Sequence, residues 1–352
     1  MIKKIIFLGL GMALLASCNT KFSVNGEYEE KAIVHFLLDQ GQEYQFLKLN
    51  KTFLKEGNAN EFAKDPALSN FDNVVATVKE IKNGSTLRTW TLQDTVINNK
   101  KEGTFYGPEQ KLYFFKANDL DEEAIYRLSI DVDNGNHLIK GQTELVKDVK
   151  INYPQSFQSL NFADNNVFVN GYKSTPITYT AGTGAIFKTQ LRFDYREFTA
   201  SGQTDKSILW NLGEAKGSDL VGSTFSTFAK GEVFYELLSK RILVDPAVTK
   251  RNVSGFEIIL TVGSDDLYTY MLTNEPTSSL AQNKPTYSNV EGALGIFSSR
   301  VTIKQYKAAF NSPITRALNQ NSTQELCKGP YTVALKFCSD IVLDNSTSYY
   351  CN

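Results

Sequence analysis

The chain has 352 residues, 41% of them hydrophobic, and its 37 Lys and Arg residues nearly balance its 38 Asp and Glu residues. This hydrophobic content excludes a disordered stalk, and the length accommodates about two domains of ordinary size. The formal net charge of −1 argues against a nucleic-acid partner, which would require a basic patch.

The first eighteen residues have the features of a bacterial lipoprotein signal. Lys3 and Lys4 are followed by an apolar run that is too short to span a bilayer, and small residues then precede Cys18. Small side chains are what cleavage requires just before the cut. We therefore predict a signal peptide over residues 1–17 and a membrane anchor of acyl chains, such as palmitate, on the Cys18 thiol. No later segment approaches the roughly 18 consecutive apolar residues of a transmembrane helix.

The residue after Cys18 bears on which membrane holds the anchor. Asn19 stands where an aspartate usually marks retention in the inner membrane, so we expect the outer membrane. The next residues lack the acidic cluster that sends some lipoproteins of the Bacteroidota to the cell surface, which leaves the exposed face open. Residues 18–30 are predicted to form a polar tether.

Residues 31–149 have the pattern of an Ig-like antiparallel β-sandwich. Strand pairs are predicted at 32–38 with 44–49, 74–81 with 86–92, and 126–131 with 137–140. The last two pairs turn at Asn-Gly, which tolerates the positive φ angles of a tight hairpin turn. A polar insertion at 50–73 interrupts the strands and is predicted to contain a turn of helix.

Residues 150–310 are predicted to form a second β-rich domain. Its clearest strand is 187–195, where large apolar residues alternate with polar ones. Helical spacing of apolar residues predicts one short helix at 232–241. A further hairpin is predicted from 256–262 and 267–272.

The sequence carries no constellation of residues that is typical of an enzyme. Its two histidines, His35 and His137, fall in predicted strands without the acidic neighbour of an H-E-x-x-H motif. A nucleophile elbow, a C-x-x-C pair and a P-loop are also absent, so we predict no catalytic residue, no metal and no cofactor. A hydrolase is therefore the least favoured function.

Two acidic segments are better explained as turns than as sites. Residues 131–136 resemble a calcium loop, but the glutamate that should close such a loop is missing. Asp265 and Asp266, together with Glu275, could supply the carboxylate pair of a glycosidase. Acidic pairs at hairpin tips are usually solvated turn residues, so we predict no catalysis there.

One modification site other than the lipid is a candidate. Asp94-Thr95-Val96 fits the three-residue pattern at which Bacteroidota glycosylate exported proteins. Thr95 is accordingly a glycosylation candidate if the source is that phylum.

Three cysteines remain near the end of the chain, in an exported and oxidisable protein. An alternating pattern at 331–337 predicts a strand, which would hold Cys327 and Cys338 on the order of 30 Å apart. A disulfide requires Cα atoms within roughly 7 Å, so that pairing is excluded if the strand forms. A hairpin after the strand would return the chain end to Cys327. We therefore predict a Cys327–Cys351 disulfide within a C-terminal extension, residues 311–352.

Several segments resemble a family of uncharacterised Bacteroidota lipoproteins that share a domain of unknown function. They are the lipobox, residues 37–39 with 48–54, residues 126–130, and above all Tyr-Ser-Asn-Val-Glu-Gly-Ala-Leu-Gly-Ile-Phe-Ser-Ser at 287–299. The resemblance implies an Ig-like N-terminal half and genes beside TonB-dependent receptors, and it carries over no catalytic residue. Physically, Gly292 and Gly295 predict a tight, glycine-bent strand end near the core.

These observations predict an outer-membrane-anchored binding or accessory protein that is not an enzyme. Its expected partner is a TonB-dependent receptor or the ligand of one. The alternative is a glycan-binding surface lipoprotein, which would display a row of exposed aromatic side chains. Most aromatic residues fall on inward strand faces, with Tyr349 and Tyr350 at the chain end as the exception.

Overall fold

The computed structural model describes residues 29–55, 57–101, 103, 106–275, 286–308 and 316–351. Cys18 and the signal peptide predicted over residues 1–17 lie outside the described residues. Sixteen strands occur in the described part of the chain, so the prediction of a mostly β fold is confirmed.

Eight strands, numbered along the chain, form one continuous sheet. In spatial order they are β12 (Gly202–Lys216), β11 (Gly184–Thr199), β14 (Val248–Ser264), β16 (Leu294–Ala308), β1 (Ala32–Asp39), β2 (Tyr44–Lys51), β6 (Gln110–Lys116) and β5 (Gln93–Ile97). Strands β1 and β16 pair in parallel, with His35 opposite Ile296, whereas the other neighbours pair antiparallel. This parallel pair joins the two halves of the chain.

Two smaller sheets accompany the large one. The five-stranded sheet has the order β15 (Val290–Glu291), β8 (His137–Glu144), β7 (Ile125–Val132), β3 (Val74–Lys82) and β4 (Ser85–Thr91). The three-stranded sheet has the order β13 (Thr224–Lys230), β10 (Ser174–Thr180) and β9 (Lys150–Tyr153). The three hairpins predicted in the first half are therefore confirmed, because β1 pairs with β2, β3 with β4, and β7 with β8.

One face of the large sheet carries two hydrophobic cores. In the first, Phe36 of β1 packs with residues of the five-stranded sheet such as Val78 and Leu128. The second surrounds Phe193 and Phe256, which pack with the three-stranded sheet and with residues of the C-terminal segment. A β-sandwich thus forms the first half, as expected for inward-facing residues that alternate along each strand.

The two cores meet along the chain close to the predicted domain boundary, but some residues from the second half of the chain belong to the first core. The first core reaches Leu145 and the second begins at Val146, near the predicted end of the sandwich at 149. Val290 and Phe297 nevertheless belong to the first core. The sandwich is therefore completed by strands from the second half, a pairing across more than a hundred residues that no local pattern encodes.

Glycine allows β16 to approach β1. Gly295 has a φ of +112°, and a Cβ at this position would lie 1.9 Å from the carbonyl oxygen of Val34. Any other residue would push the strands apart. The nearby Phe297 is fully buried in the first core, which confirms the predicted glycine-bent strand near the core.

Six α-helices occur in the described residues: α1 (Ala59–Phe62), α2 (Pro66–Ser69), α3 (Val167–Asn170), α4 (Gly231–Arg241), α5 (Asp265–Asn274) and α6 (Gln320–Lys328). Helix α4 confirms the helix predicted at 232–241, but the prediction of a single helix in the second domain is wrong. The strand predicted at 267–272 is instead α5. The Ser264 hydroxyl accepts a hydrogen bond from the Leu267 N–H at 3.2 Å, and Asp265 and Asp266 occupy the first turn, where acidic residues favour a helix.

The C-terminal segment, residues 316–351, is part of the second core rather than an extension. Its buried residues include Leu326, Leu335, Phe337 and Tyr349. The strand predicted at 331–337 is wrong, because the chain forms a short 3₁₀ turn at Val333–Leu335.

The disulfide predicted between Cys327 and Cys351 is also wrong. Cys338 pairs with Cys351, with their Cα atoms 5.0 Å apart, and Cys327 is a buried free thiol. The N–H of Cys351 donates to the carbonyl of Ser339 at 2.8 Å, which brings the chain end beside Cys338. Burial raises the pKa of the Cys327 thiol to about 12, so little thiolate forms at that position.

Candidate functional site on the outer face of the large sheet

The face of the large sheet opposite the two cores, here called the outer face, carries the candidate site. On β1 it presents His35, which lies opposite Lys48 of β2. Further along β2 it presents Phe46, which lies opposite Phe114 of β6. Helix α5 rests on the same face, where the Tyr270 hydroxyl lies 2.9 Å from Nε2 of His35.

A cavity of about 480 Å³ opens on this face between the strands and the polar insertion. We call it the basic pocket. It is lined by Ile33, His35, Lys48, Asn50, Lys51, Phe53, Ser69, Asn70, Lys100, Tyr106, Glu109, Gln110 and Lys111. Its volume falls within the range of small-molecule binding sites.

Hydrogen bonds hold the wall of the basic pocket in place. The Asn50 side-chain amide donates to the carbonyl of Ser69 at 3.1 Å, which fastens the insertion to the end of β2. The N–H of Tyr106 donates to the carbonyl of Ala63 at 2.8 Å and joins the two loops that form the wall. Helix α2 begins at Pro66 with the Asp65 side chain as its cap.

Cations outnumber carboxylates in the basic pocket, which has four lysines and one glutamate in its lining. Lys51 pairs with Glu30 at 3.6 Å, and Glu109 accepts a hydrogen bond from the Tyr106 hydroxyl at 2.5 Å. Nζ of Lys48 lies 3.4 Å from the Gln110 side-chain oxygen, and no described carboxylate lies within ion-pair distance of it. Among the described lining residues, positive charge therefore exceeds negative charge.

Burial and like charge disfavour protonation in the basic pocket. Burial lowers the pKa of Lys48, and the nearby Lys100 lowers it further. Burial likewise lowers the pKa of His35, with a smaller contribution from Lys48. His35 keeps an exposed edge, but its ring lies edge-on to Tyr270 with the ring centres 5.9 Å apart. An anion in the pocket would relieve these effects and favour the charged forms.

Three aromatic rings lie together beside the basic pocket. Tyr44 is 42% exposed and Phe46 is 41% exposed, although large apolar rings usually lie in a core. With the half-buried Phe114 they form what we call the aromatic cluster, whose ring centres are 5.9–6.4 Å apart. Tyr44 and Phe46 precede Lys48 on the same side of β2, so the aromatic cluster adjoins the basic pocket.

Among the residues that were singled out from sequence and that the structure describes, only His35 lies in the site. His137 is half-buried elsewhere, 3.3 Å from Glu30 and against the Phe71 ring. Thr95 is half-buried in β5 opposite Leu112. Tyr349, expected to be an exception to core packing, is 5% exposed.

The acidic segments hold the fold locally. Asp265 accepts a hydrogen bond from the Ser218 hydroxyl and Asp266 accepts one from the Tyr287 hydroxyl, each at 2.5 Å. Glu275 pairs with Lys216, so the three carboxylates do not converge. Residues 131–136 form a hairpin tip in which Asp131 accepts a hydrogen bond from the Gly135 N–H at 2.6 Å.

Sequence reasoning missed the lysines and the exposed rings. Along 44–49, Tyr44, Phe46 and Lys48 alternate with Gln45, Leu47 and Leu49, so each side of the strand carries apolar residues. Alternation alone does not say which side is buried. A lysine directly after two rings on one side was the available signal.

Among the described residues, no helix has the length and hydrophobicity needed to cross a bilayer. Within the same residues, no group of three or more His, Cys, Asp or Glu side chains is arranged to hold a metal ion. Neither the models of known protein families nor the curated proteins include a match to this chain.

Among solved structures, the chain is similar to the C-terminal globular domain of an oligosaccharyltransferase from Pyrococcus abyssi. The identity is 11% and the TM-score is 0.24, over 73% of this chain. The chain spans 55% of the length of that domain. A likeness at this TM-score carries no argument about fold or function.

Proposed function

We propose that this chain is a binding protein of the cell envelope that holds an anionic ligand in the basic pocket. The observation that carries the proposal is Lys48, a half-buried cation with Lys100 nearby and no described carboxylate within ion-pair distance. Burying a charge without a counter-charge costs free energy. A ligand that brings a carboxylate or phosphate into the pocket recovers that free energy as binding.

The location and the partner in this proposal rest on the sequence. Cys18 would anchor the protein in the outer membrane, and the family resemblance favours a TonB-dependent receptor as its neighbour. Cys18→Ser should release the protein from membranes or leave it uncleaved. A cleaved variant that still fractionates with membranes would contradict the anchor. A pull-down from solubilised envelopes that recovers no receptor would contradict the partner.

Calorimetric titration tests the basic pocket directly. The probes are inorganic phosphate, citrate and galacturonic acid, with galactose as the neutral counterpart. We expect at least one anionic probe to bind, galactose not to bind, and affinity to fall with salt as the charges are screened. Lys48→Met should weaken binding at least tenfold, which corresponds to about 1.4 kcal/mol.

Lys304→Met is the matched control, because Lys304 is an exposed lysine of β16 on the same face that does not line the pocket. It should bind as the wild type does. If no anionic probe binds, or if Lys48→Met binds as tightly as the wild type, the pocket is not an anion site.

A further inference from the structure

We infer that the ligand of the basic pocket is an acidic oligosaccharide whose sugar rings lie on the aromatic cluster while its carboxylate enters the pocket. This inference rests on the proposed function and adds the class of ligand. It joins two features that alternate along one side of β2: the exposed rings of Tyr44 and Phe46, and the cation of Lys48.

The spacing along β2 suits a ligand longer than one sugar. Residues two apart on a strand lie about 6.6 Å apart and point to the same side. Tyr44 and Lys48 are therefore separated by about 13 Å, with Phe46 between them. A single pyranose cannot reach from the Tyr44 ring to Lys48, whereas a short chain of linked sugars can.

The chemistry of the surface suits sugar rings. The π face of an aromatic ring carries negative charge and attracts the weakly positive C–H groups on one side of a pyranose. The planes of Tyr44 and Phe46 differ by 33° and their ring centres lie 6.4 Å apart, so the two rings are close neighbours with exposed area on the same side of β2. At its pocket end, the side-chain oxygen of Asn50 and the amide of Gln110 can bond to hydroxyls, while the Asn50 amide nitrogen holds Ser69 and Asn70.

The extent of the aromatic cluster argues against a second copy of the chain as its occupant. Tyr44 is 42% exposed and Phe46 is 41% exposed, so together they offer on the order of 200 Å². A stable protein interface buries about 800 Å² on each partner. Positive charge adjoining the rings also matches an anionic glycan better than it matches an identical surface.

The test compares acidic ligands of different lengths. Galacturonic acid, trigalacturonate and its methyl ester are titrated by calorimetry, with hyaluronan oligosaccharides and sialyllactose as acidic glycans of other backbones. We expect one or more acidic oligosaccharides to bind at least tenfold more tightly than the single acidic sugar. The neutral ester should lose most of that affinity.

The variants separate the two parts of the site. Phe46→Ser should bring the affinity for the oligosaccharide close to the affinity for the single sugar. Phe168→Ser is the matched control, because Phe168 is 87% exposed in α3, away from the outer face. Lys48→Met should weaken both ligands.

Each contrary result identifies which idea fails. The inference is wrong if the Phe46→Ser variant still binds the oligosaccharide at least tenfold more tightly than the single sugar. It is also wrong if the ester binds as well as the acid. If phosphate or citrate binds through Lys48 but no acidic glycan does, the inference is wrong and the proposed function stands. If sedimentation shows a dimer that Phe46→Ser disperses, the aromatic cluster is a contact between copies, and the inference is wrong.

Discussion

The basic pocket and the C-terminal segment hold their cations in opposite ways. In the C-terminal segment, buried Arg316 forms two hydrogen bonds to the Asp344 carboxylate, at 3.1 and 2.8 Å. In the basic pocket, Lys48 has an amide oxygen as its neighbour and a pKa that burial and Lys100 lower. Paired cations of this kind hold the fold together, whereas our proposal leaves Lys48, which has no carboxylate partner among the described residues, to a ligand.

The same contrast occurs along the outer face itself. Over β11 and β14, Arg192 contacts both Asp194 and Glu257, at 2.9 and 2.6 Å. Its charge is therefore neutralised within the protein. Over β2, no described carboxylate does the same for Lys48. The two ends of one sheet face thus differ in charge balance. A search for ligands should therefore begin at the end formed by β2.

The largest expected effect comes from breaking the buried pair of the C-terminal segment. Arg316→Met leaves Asp344, which is fully buried, without its counter-charge. We expect the free energy of unfolding to fall by about 3–5 kcal/mol. Urea denaturation measures it. Arg196→Met removes an exposed pair with Asp205 and should cost less than about 1 kcal/mol. Equal losses in the two variants would contradict the contrast.

The disulfide gives the next effect in size. The bond between Cys338 and Cys351 closes a loop with a sequence separation of 13. Cys351→Ser should lower the free energy of unfolding by about 3 kcal/mol, because the unfolded chain gains freedom. Cys327→Ala should leave the bond intact. Peptide mapping without reductant checks the pairing, and a Cys327–Cys351 peptide would support the pairing expected from sequence.

Lys307 shares one property with each of the cations compared above. It is buried, as Arg316 is, but like Lys48 it has no carboxylate partner among the described residues. It is 2% exposed, and its ammonium donates to the carbonyls of Gln155 and Gln158 but to no carboxylate among the described residues. Burial lowers its pKa from 10.5 to about 8. Between these values the unfolded chain binds more protons, so stability should rise with pH from about 8 to 10.5, by about 3 kcal/mol.

Comparison of the wild type with Lys307→Met isolates this effect from other groups that titrate in the same range. The difference in the free energy of unfolding between the wild type and Lys307→Met should change from about pH 8 to 10.5 and stay constant below about pH 8. A difference that is independent of pH throughout would show that Lys307 is not desolvated in the fold.

Local patterns predicted much of the fold. Alternating residues and Asn-Gly turns located the hairpins of β3 with β4 and of β7 with β8, because these signals act within a few residues. The apolar spacing of α4 was equally local. The parallel pairing of β1 with β16 could not be predicted, because it joins residues some 260 positions apart, such as Phe36 and Phe297.

Errors arose where a short apolar run fits two structures. Residues 267–272 suit a strand by composition, and only the cap at Ser264 and the acidic first turn favour a helix. Residues 331–337 alternate like a strand but turn at Val333–Leu335. The candidate site was missed because the lysines of β2 line a pocket only when the distant insertion folds over them.

The smallest expected effect tests the unpaired cation itself. Lys48→Met removes a partly desolvated charge and its repulsion with Lys100, so the free energy of unfolding should stay the same or rise by up to about 1 kcal/mol. The pKa of His35 should rise, because Lys48 contributes to lowering it. Because the pKa of His35 is lowered, the folded state binds fewer protons than the unfolded chain, and the free energy of unfolding falls as the pH drops through 6.5. The Lys48→Met variant should lose less of this free energy than the wild type does. Proton NMR titration and denaturation at several pH values measure both effects. A loss in Lys48→Met as large as that in Arg316→Met would instead make Lys48 a structural residue, and the contrast between the two regions would fail.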